Sequence, residues 1–271
     1  MDGTPPPRHW RPSPLIRASS ALHVAAAATI GVRPGVWPWA VGAVVADHLL
    51  LTAAGLWPRS ALLGPNWTRL PDESAAVGAI AITLDDGPDP VITPHVLTQL
   101  DDYRAKATFF FIGERVERYP ELAREVIRRG HAIENHSQRH LNRFSVLGPR
   151  GIEREISRAQ EAIETITGER PGFFRAPAGL RSPLLEPVLA RLGLRLASWT
   201  RRGFDTVKTD AASVLRKLTN NLQGGDILLL HDGHAAHTSS GSPVVLEVLP
   251  RLLQAAHRAG LTPVTLRSAL T

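Results

Sequence analysis

At 271 residues, 43% of them hydrophobic, the chain is long enough for one large α/β domain with an appendage, and apolar enough to exclude disorder over its bulk. It has no cysteine, which removes disulfide scaffolds, thiolate zinc sites, iron–sulfur clusters and cysteine nucleophiles together. The formal charge of +6 invites an anionic partner, but basic residues alternate with acidic ones over 114–129 and 150–164 and form no run interleaved with aromatics, so nucleic acid is set aside.

The chain changes character near residue 78, giving an apolar segment over 1–58, a linker over 59–78 and a mixed domain over 79–268. Two apolar runs, 18–32 and 36–57, flank the turn signal Arg33-Pro34-Gly35. As helices they would extend about 22 and about 33 Å. Only the second spans a bilayer, and Trp37, Trp39 and Trp57 stand at its ends as an interfacial belt would. A cleaved signal peptide accounts for Arg8, Arg11, Arg17 and the first run but not the second. A pair of soluble helices suits Asp47-His48 in mid-run, because charge at mid-bilayer is costly. A helical hairpin in or on the membrane through residues 18–57 accounts for both runs and is preferred. Arg8, Arg11, Arg17, Arg59 and Arg69 flank it against Arg33 alone in the turn, a bias toward both ends lying on the cytoplasmic face. No internal repeat and no sign of an obligate protein partner is visible.

From residue 79 the pattern alternates. Strands are predicted at 79–84, 107–112, 131–135, 172–174, 194–199, 226–230 and 262–265. Amphipathic helices are predicted at 93–103, 120–129, 151–167, 182–192, 210–222 and 243–259. Seven strands returning through helical crossovers require a parallel sheet, either closed into a barrel or opened and doubly wound.

The chemistry-bearing residues cluster by position. Asp85-Asp86 follow the first strand, His136 and His140 the third, Arg175 the fourth, Asp205 trails the fifth, and His231-Asp232 follow the sixth. All lie past the C-terminal strand ends, where parallel α/β folds build their sites. Asp85-Asp86-Gly87-Pro88 also reads as an ordinary turn. His136 and His140 share a face if their segment is a helical turn; with a carboxylate from a neighbouring strand end they make a two-His, one-Asp set for Zn²⁺ with a position left open for water. His234 and His237 read as loop polar groups, Asp232 as a turn residue, and His131 has no assigned role.

The strings Thr83-Leu84-Asp85-Asp86-Gly87-Pro88, His136-Ser137-Gln138-Arg139-His140, Arg175-Ala176-Pro177-Ala178-Gly179 and Leu229-Leu230-His231-Asp232, in that order, resemble the polysaccharide deacetylase family, the NodB-homology or carbohydrate esterase family 4 group. The resemblance implies an irregular seven-stranded (β/α) barrel preceded by the N-terminal helical hairpin. It also implies a divalent metal, usually zinc, and removal of N-acyl groups from amino sugars. Carried over by motif, Asp85 resembles the general base, His231 the general acid, and Arg175 the residue that orients the base. Asp86, His136 and His140 resemble the metal ligands, and Pro177, Ala178, Trp199 and Leu229 the substrate pocket. Two departures stand out. Ala178 replaces a frequent aromatic while keeping the backbone N–H that meets the oxyanion. Arg202 and Thr206 stand where an acid and a tryptophan are common, which speaks against ordinary chitin-like polymer binding.

These roles match what amide hydrolysis demands. Zinc lowers the pKa of bound water from about 15.7 toward about 7, an ionised Asp85 beside Arg175 takes the proton, and one well-aimed oxyanion donor contributes about 3 kcal/mol. His231 must arrive protonated, and Asp205 is the candidate carboxylate beside it. The expected function is a metal-dependent carbohydrate N-deacetylase, releasing acetyl or formyl from a glycan or a lipid-linked amino sugar. The rival is a membrane-anchored, non-catalytic sugar-binding module that keeps the barrel, although binding alone needs neither Asp85 nor His231. A two-metal phosphoesterase would need more carboxylates than these strand ends offer.

Overall fold

Alternation within the strands decides which side chains face the interior of this fold. The computed structural model describes residues 8–270, so the first seven residues of the segment read over 1–58 lie outside it. Among the described residues the strands are β1 (Ala79–Asp85), β2 (Ala107–Phe111), β3 (Ala132–Asn135), β4 (Phe173–Phe174), β5 (Arg195–Leu196), β6 (Arg201–Arg202), β7 (Ile227–His231) and β8 (Thr262–Pro263). Seven form a parallel curled sheet in the order β5-β4-β3-β2-β1-β7-β6, and β8 pairs with the start of β1. On β1, Ile80, Ile82 and Leu84 pack under the outer helices, whereas Ala79 and Ala81 face the barrel interior. Thr83 and Asp85 share the parity of Ala79 and Ala81. On β7, Ile227 and Leu229 face inward and His231 follows their parity. Asp85 is the register partner of His231.

The outer layer consists of α4 (Ile92–Asp102), α5 (Gly113–Arg118), α6 (Pro120–Arg128), α7 (Pro149–Thr167), α8 (Leu185–Arg191), α9 (Ala211–Thr219) and α10 (Val244–Arg258). Local rules set their ends. Pro120 occupies the first turn of α6, Asp210 caps α9 by accepting from the Ala212 and Ser213 amides, and Gly168 ends α7 in the left-handed region at φ 76°. All seven expected strands are present, and the barrel is irregular as expected. Three elements were not anticipated, the two-residue β6, the short α5 and the short α3 (Asp72–Ala76) inside the segment read as a linker.

The 59–78 segment is docked on the domain. Leu63 and Leu70 are buried, Trp67 forms a parallel bridge with Ala197, and Arg69 an antiparallel one with Asp226. It thereby contacts both flanks of the curled sheet.

The N-terminal hairpin is built from α1 (Pro14–Val32) and α2 (Trp37–Leu56), joined through a short turn over Pro34–Val36. α1 starts four residues earlier than the apolar run suggested, because Ser13 caps it and Pro14 opens it, so it extends about 28 Å. Both helices are long and apolar enough to cross a membrane. Their polarity is inside out. The buried residues are Ser19 on α1 and Asp47, Ala54 and Gly55 on α2, whereas Val24, Trp39 and Leu49 are 71%, 83% and 67% exposed. The Asp47 that weighed against a bilayer therefore points at the partner helix, where it accepts a hydrogen bond from the Ser19 hydroxyl at 2.7 Å. That is how ionisable residues are accommodated inside membrane bundles.

A buried carboxylate fixes the C-terminal segment to the sheet. Glu134 on β3 accepts from the Gly172 and Phe173 amides at 2.7 and 2.8 Å, and its other oxygen accepts from Arg267 Nε at 2.6 Å. Burial pushes its pKa up against the pull of Arg267. Removing the arginine strands a buried charge. The Arg267→Ala variant is expected to lose about 3 kcal/mol of unfolding free energy, read from urea denaturation of the full chain in detergent. A loss below about 0.5 kcal/mol would show that Glu134 does not depend on its partner.

Candidate active site and metal centre

Four strand ends deliver the candidate residues to one pocket of about 320 Å³. Asp85 closes β1 and Asp86 follows it at φ 73°, which turns the second carboxylate away from the first. Asp85 Oδ1 accepts from Arg175 Nη1 at 2.6 Å. Arg175 has no significant exposure; its remaining donors reach Thr83 Oγ1 and the carbonyls of Ala197 and Ser198, and its guanidinium lies 4.0 Å from the Phe110 ring centroid. Burial lowers the Arg175 pKa while Asp85 pulls it upward. Asp85 is thus a carboxylate held in a single orientation by a fixed cation.

His136 and His140 converge on Asp86, but not through a helical turn. Residues 136–140 form an irregular loop in which Ser137 and His140 have φ of 64° and 49°. Asn135 Oδ1 accepts from the Ser137 amide, and the buried Glu155 of α7 accepts from the backbone and side chain of Arg139. Glu155 was not singled out from sequence, since it reads as one more charge on an amphipathic helix. The imidazoles are 4.9 Å apart between centroids, and their Nε2 atoms lie 3.4 and 3.3 Å from Asp86 Oδ1.

This cluster fits a cation. The Nδ1 of His136 lies 2.8 Å from the Arg175 carbonyl oxygen. A carbonyl only accepts, so Nδ1 carries the proton and the neutral ring turns a lone pair on Nε2 toward Asp86. Asp86 Oδ1 is buried without a hydrogen bond, and the three ligand atoms lie within 4.8 Å of one another. Burial would raise the Asp86 pKa, but His136, His234 and His231 outweigh it and hold the carboxyl far below its usual range. Burial lowers His140, whereas the Asp85 and Asp86 carboxylates override burial and raise His136. A divalent ion bound there would compete with a proton for His136 Nε2.

On the other flank, His231 Nδ1–H donates to Asp205 Oδ1 at 2.9 Å, and the His231 amide donates to Asp205 Oδ2 at 2.7 Å. Burial would lower the His231 pKa, but Asp205, with Asp85 and Asp86, raises it above its ordinary value. Only Nε2 remains for a ligand.

Ala178, Trp199 and Leu229 line the pocket, while Pro177 is buried in the turn and does not. Gly179 adopts φ 74°, and a Cβ there would meet the Trp199 ring at 2.6 Å, so the absence of a side chain lets Trp199 close the wall. Arg202 and Thr206 also line it. His234 belongs to the site's rim, with Nδ1 3.4 Å from Asp86 Oδ2, whereas His237 pairs with Pro243 outside it. Asp232 accepts from Thr93 Oγ1, and burial raises its pKa to about 7. His131 packs edge-on against Phe109 at the other end of the sheet, where burial lowers its pKa to about 4.

A second group, His23, Asp47 and His48 in the hairpin, is equally close together. There the two Nε2 atoms lie 3.1 Å apart, in hydrogen-bonding contact with each other, and Asp47 is taken by Ser19.

A family profile described as polysaccharide deacetylase matches residues 72–197. A peptidoglycan-N-acetylglucosamine deacetylase of Bacillus cereus is 36% identical over 181 residues, covering 66% of this chain and 84% of the relative. A chitooligosaccharide deacetylase of Azorhizobium caulinodans is 39% identical over 158 residues, covering 57% and 74% respectively. The structure of a family 4 carbohydrate esterase from Streptomyces lividans in complex with acetate superposes with a TM-score of 0.62 at 30% identity, covering 69% of this chain and 91% of that one.

Zn²⁺ added at a hundredfold excess over its dissociation constant is expected to stabilise the protein by about 2.7 kcal/mol, seen as a rise in Tm. The rise should vanish in Asp86→Asn and His140→Ala and persist in His48→Ala. Persistence in the first two with loss in the third would move the ion to the hairpin.

Proposed function

The chain belongs to the polysaccharide deacetylase family, and on that premise we propose that it hydrolyses the N-acyl amide of an amino sugar with a divalent ion held by Asp86, His136 and His140. The observation that carries this reading is the pairing of Asp85 with His231 across β1 and β7, each with its own buried counter-ion, on either side of that cluster. Two imidazoles and one carboxylate suit Zn²⁺. When bound, such an ion polarises the amide carbonyl and acidifies the attacking water.

The chain's own groups supply the remaining steps. Asp85 accepts the proton of the attacking water, and Arg175 keeps Asp85 ionised and aimed. The backbone N–H of Ala178 meets the oxyanion as the tetrahedral carbon forms. His231, protonated and held through Nδ1 by Asp205, delivers the Nε2 proton to the amine as the C–N bond breaks, so acid and free amine leave together. Trp199 and Leu229 enclose the acyl group. A non-catalytic sugar-binding module needs neither proton-transfer group, and the counter-ions built around both favour catalysis.

Two substrate classes suit this chemistry, an N-acetylated glycan beyond the membrane and a lipid-linked amino sugar at its surface. The inside-out hairpin favours a membrane-held enzyme, and the flanking arginines favour a domain on the cytoplasmic face.

Acetate or formate release from a panel of N-acylated amino sugars tests the activity. Asp85→Asn is expected to lose 10²-fold or more in rate, on the order expected for a general base, with its metal still bound; an unchanged rate refutes the assignment. Because the raised His231 pKa keeps the acid protonated, activity should survive until the pH rises through that value. Removing the carboxylate in Asp205→Asn leaves burial dominant, so the alkaline limb of kcat should move to lower pH. A limb that stays in place removes His231 as the acid. A reporter fused after residue 271 should be exposed on the cytoplasmic side; exposure on the far side would favour the glycan class.

A further inference from the structure

Beside the catalytic pocket, and sharing Trp199 and Arg202 with it, lies a larger cavity of about 1040 Å³. Its mouth is formed by Trp57, Pro58 and Arg59, where α2 meets the barrel domain. Five cations line it, Arg59, Arg201, Arg202, Arg216 and Lys217, and among the described residues no aspartate or glutamate does. Arg201 is structural, held by Asp226 and by the carbonyls of Asn220 and Asn221. The other four form no ion pair among the described residues.

Three of the four unpaired cations are positioned by neutral partners instead. The Arg202 guanidinium lies 5.4 Å from the Trp199 ring centroid and 5.0 Å from that of Phe204, and its Nε is buried without a hydrogen bond. Lys217 Nζ lies 5.6 Å from the Phe204 ring, and Arg59 donates to the Thr200 carbonyl at 3.2 Å. Ring faces orient a cation but leave its charge uncompensated. Like charges gathered in one concave groove repel one another and raise the local potential, a combination that concentrates anions. Several guanidinium forks in one groove match the several oxygens of a phosphate better than a single carboxylate.

We infer that this groove binds phosphate, and that the substrate is an N-acylated amino sugar carrying a phosphate or diphosphate ester, placed so that its amide enters the catalytic pocket while the ester lies along Arg59, Arg202, Arg216 and Lys217. The inference rests on the deacetylase reading above. The hairpin foot at the groove mouth suits a phosphate presented at headgroup level, as a lipid-carried sugar would present it.

The test compares the full chain in detergent with Arg216→Gln/Lys217→Gln, whose positions are exposed on α9, and with Arg150→Gln/Arg154→Gln at the start of α7 as a charge-matched control. The substrates are N-acetylglucosamine 1-phosphate and neutral methyl N-acetylglucosaminide. Wild type and the α7 control should prefer the phosphorylated sugar at least tenfold in kcat/KM, a preference that weakens with salt. In the α9 variant it should fall about tenfold. Equal rates on both sugars in wild type, or a preference that the α9 variant keeps, overturns the inference and leaves the deacetylase reading intact. Absence of hydrolysis of either sugar counts against that reading instead, and calorimetric binding of N-acetylglucosamine 1-phosphate to Asp85→Asn then decides the groove: binding that the α9 changes abolish supports it, and no binding overturns it. Sugar-free phosphatidylglycerol vesicles form the last arm. Retention of wild type but not of the α9 variant, without any preference for the phosphorylated sugar, would assign the groove to the bilayer surface and overturn the substrate assignment.

Discussion

An ion pair with almost no access to water, Asp85 to Arg175, is the constraint on which the rest of the centre depends. Burying both charges costs several kcal/mol per ion unless geometry and further hydrogen bonds offset it. Here further contacts offset part of it: the guanidinium also reaches Thr83 and two carbonyls and rests on Phe110. The same residue acts twice. Its side chain fixes the carboxylate at the end of β1, and its backbone carbonyl sets the tautomer of His136. One arginine thus couples the orientation of the proposed base to the ligand geometry of the proposed metal centre.

The opposite flank solves the converse problem. As the proposed acid, His231 needs to remain charged in a place where burial discharges imidazoles. Asp205 holds it through both carboxylate oxygens, one on the ring and one on the backbone amide. Parallel register does the remaining work, since β1 and β7 end level and their last side chains share a parity. The proposed base and acid therefore sit side by side, each with a counter-ion of the opposite sign.

Much of this was legible in the sequence because parallel strands place their C-terminal ends together, so Asp85, Asp86, Arg175 and His231 could be assigned to one rim without knowing the angles between strands. What was not legible depends on contacts distant in sequence. The loop of His136 and His140 is shaped by Glu155 from α7, not by a helical period, and β6 is too short to show an alternation. The 59–78 segment reads as a linker by its prolines and glycines, yet Trp67 and Arg69 bind it to the sheet. Pro177 belongs to the motif but supports the turn instead of lining the pocket. His234 looked like one of several loop histidines until the left-handed backbone at its position, φ 61°, brought it to Asp86. In the hairpin, composition alone could not show that Asp47 turns inward to Ser19 while the apolar faces turn outward. That inversion is the observation on which the proposed membrane setting of the two helices rests, and Trp57 at the end of α2 lines the cationic groove.

The proposed mechanism requires a single ion between the two proton-transfer groups. Anomalous diffraction at the zinc edge, from crystals of the full chain grown with Zn²⁺, locates it directly. The account predicts one strong peak about 2.0–2.2 Å from Asp86, His136 Nε2 and His140 Nε2, with Asp85 and His231 outside bonding distance on either side. A map with density only at His23 and His48, or with none between Asp86 and the two imidazoles, would contradict it.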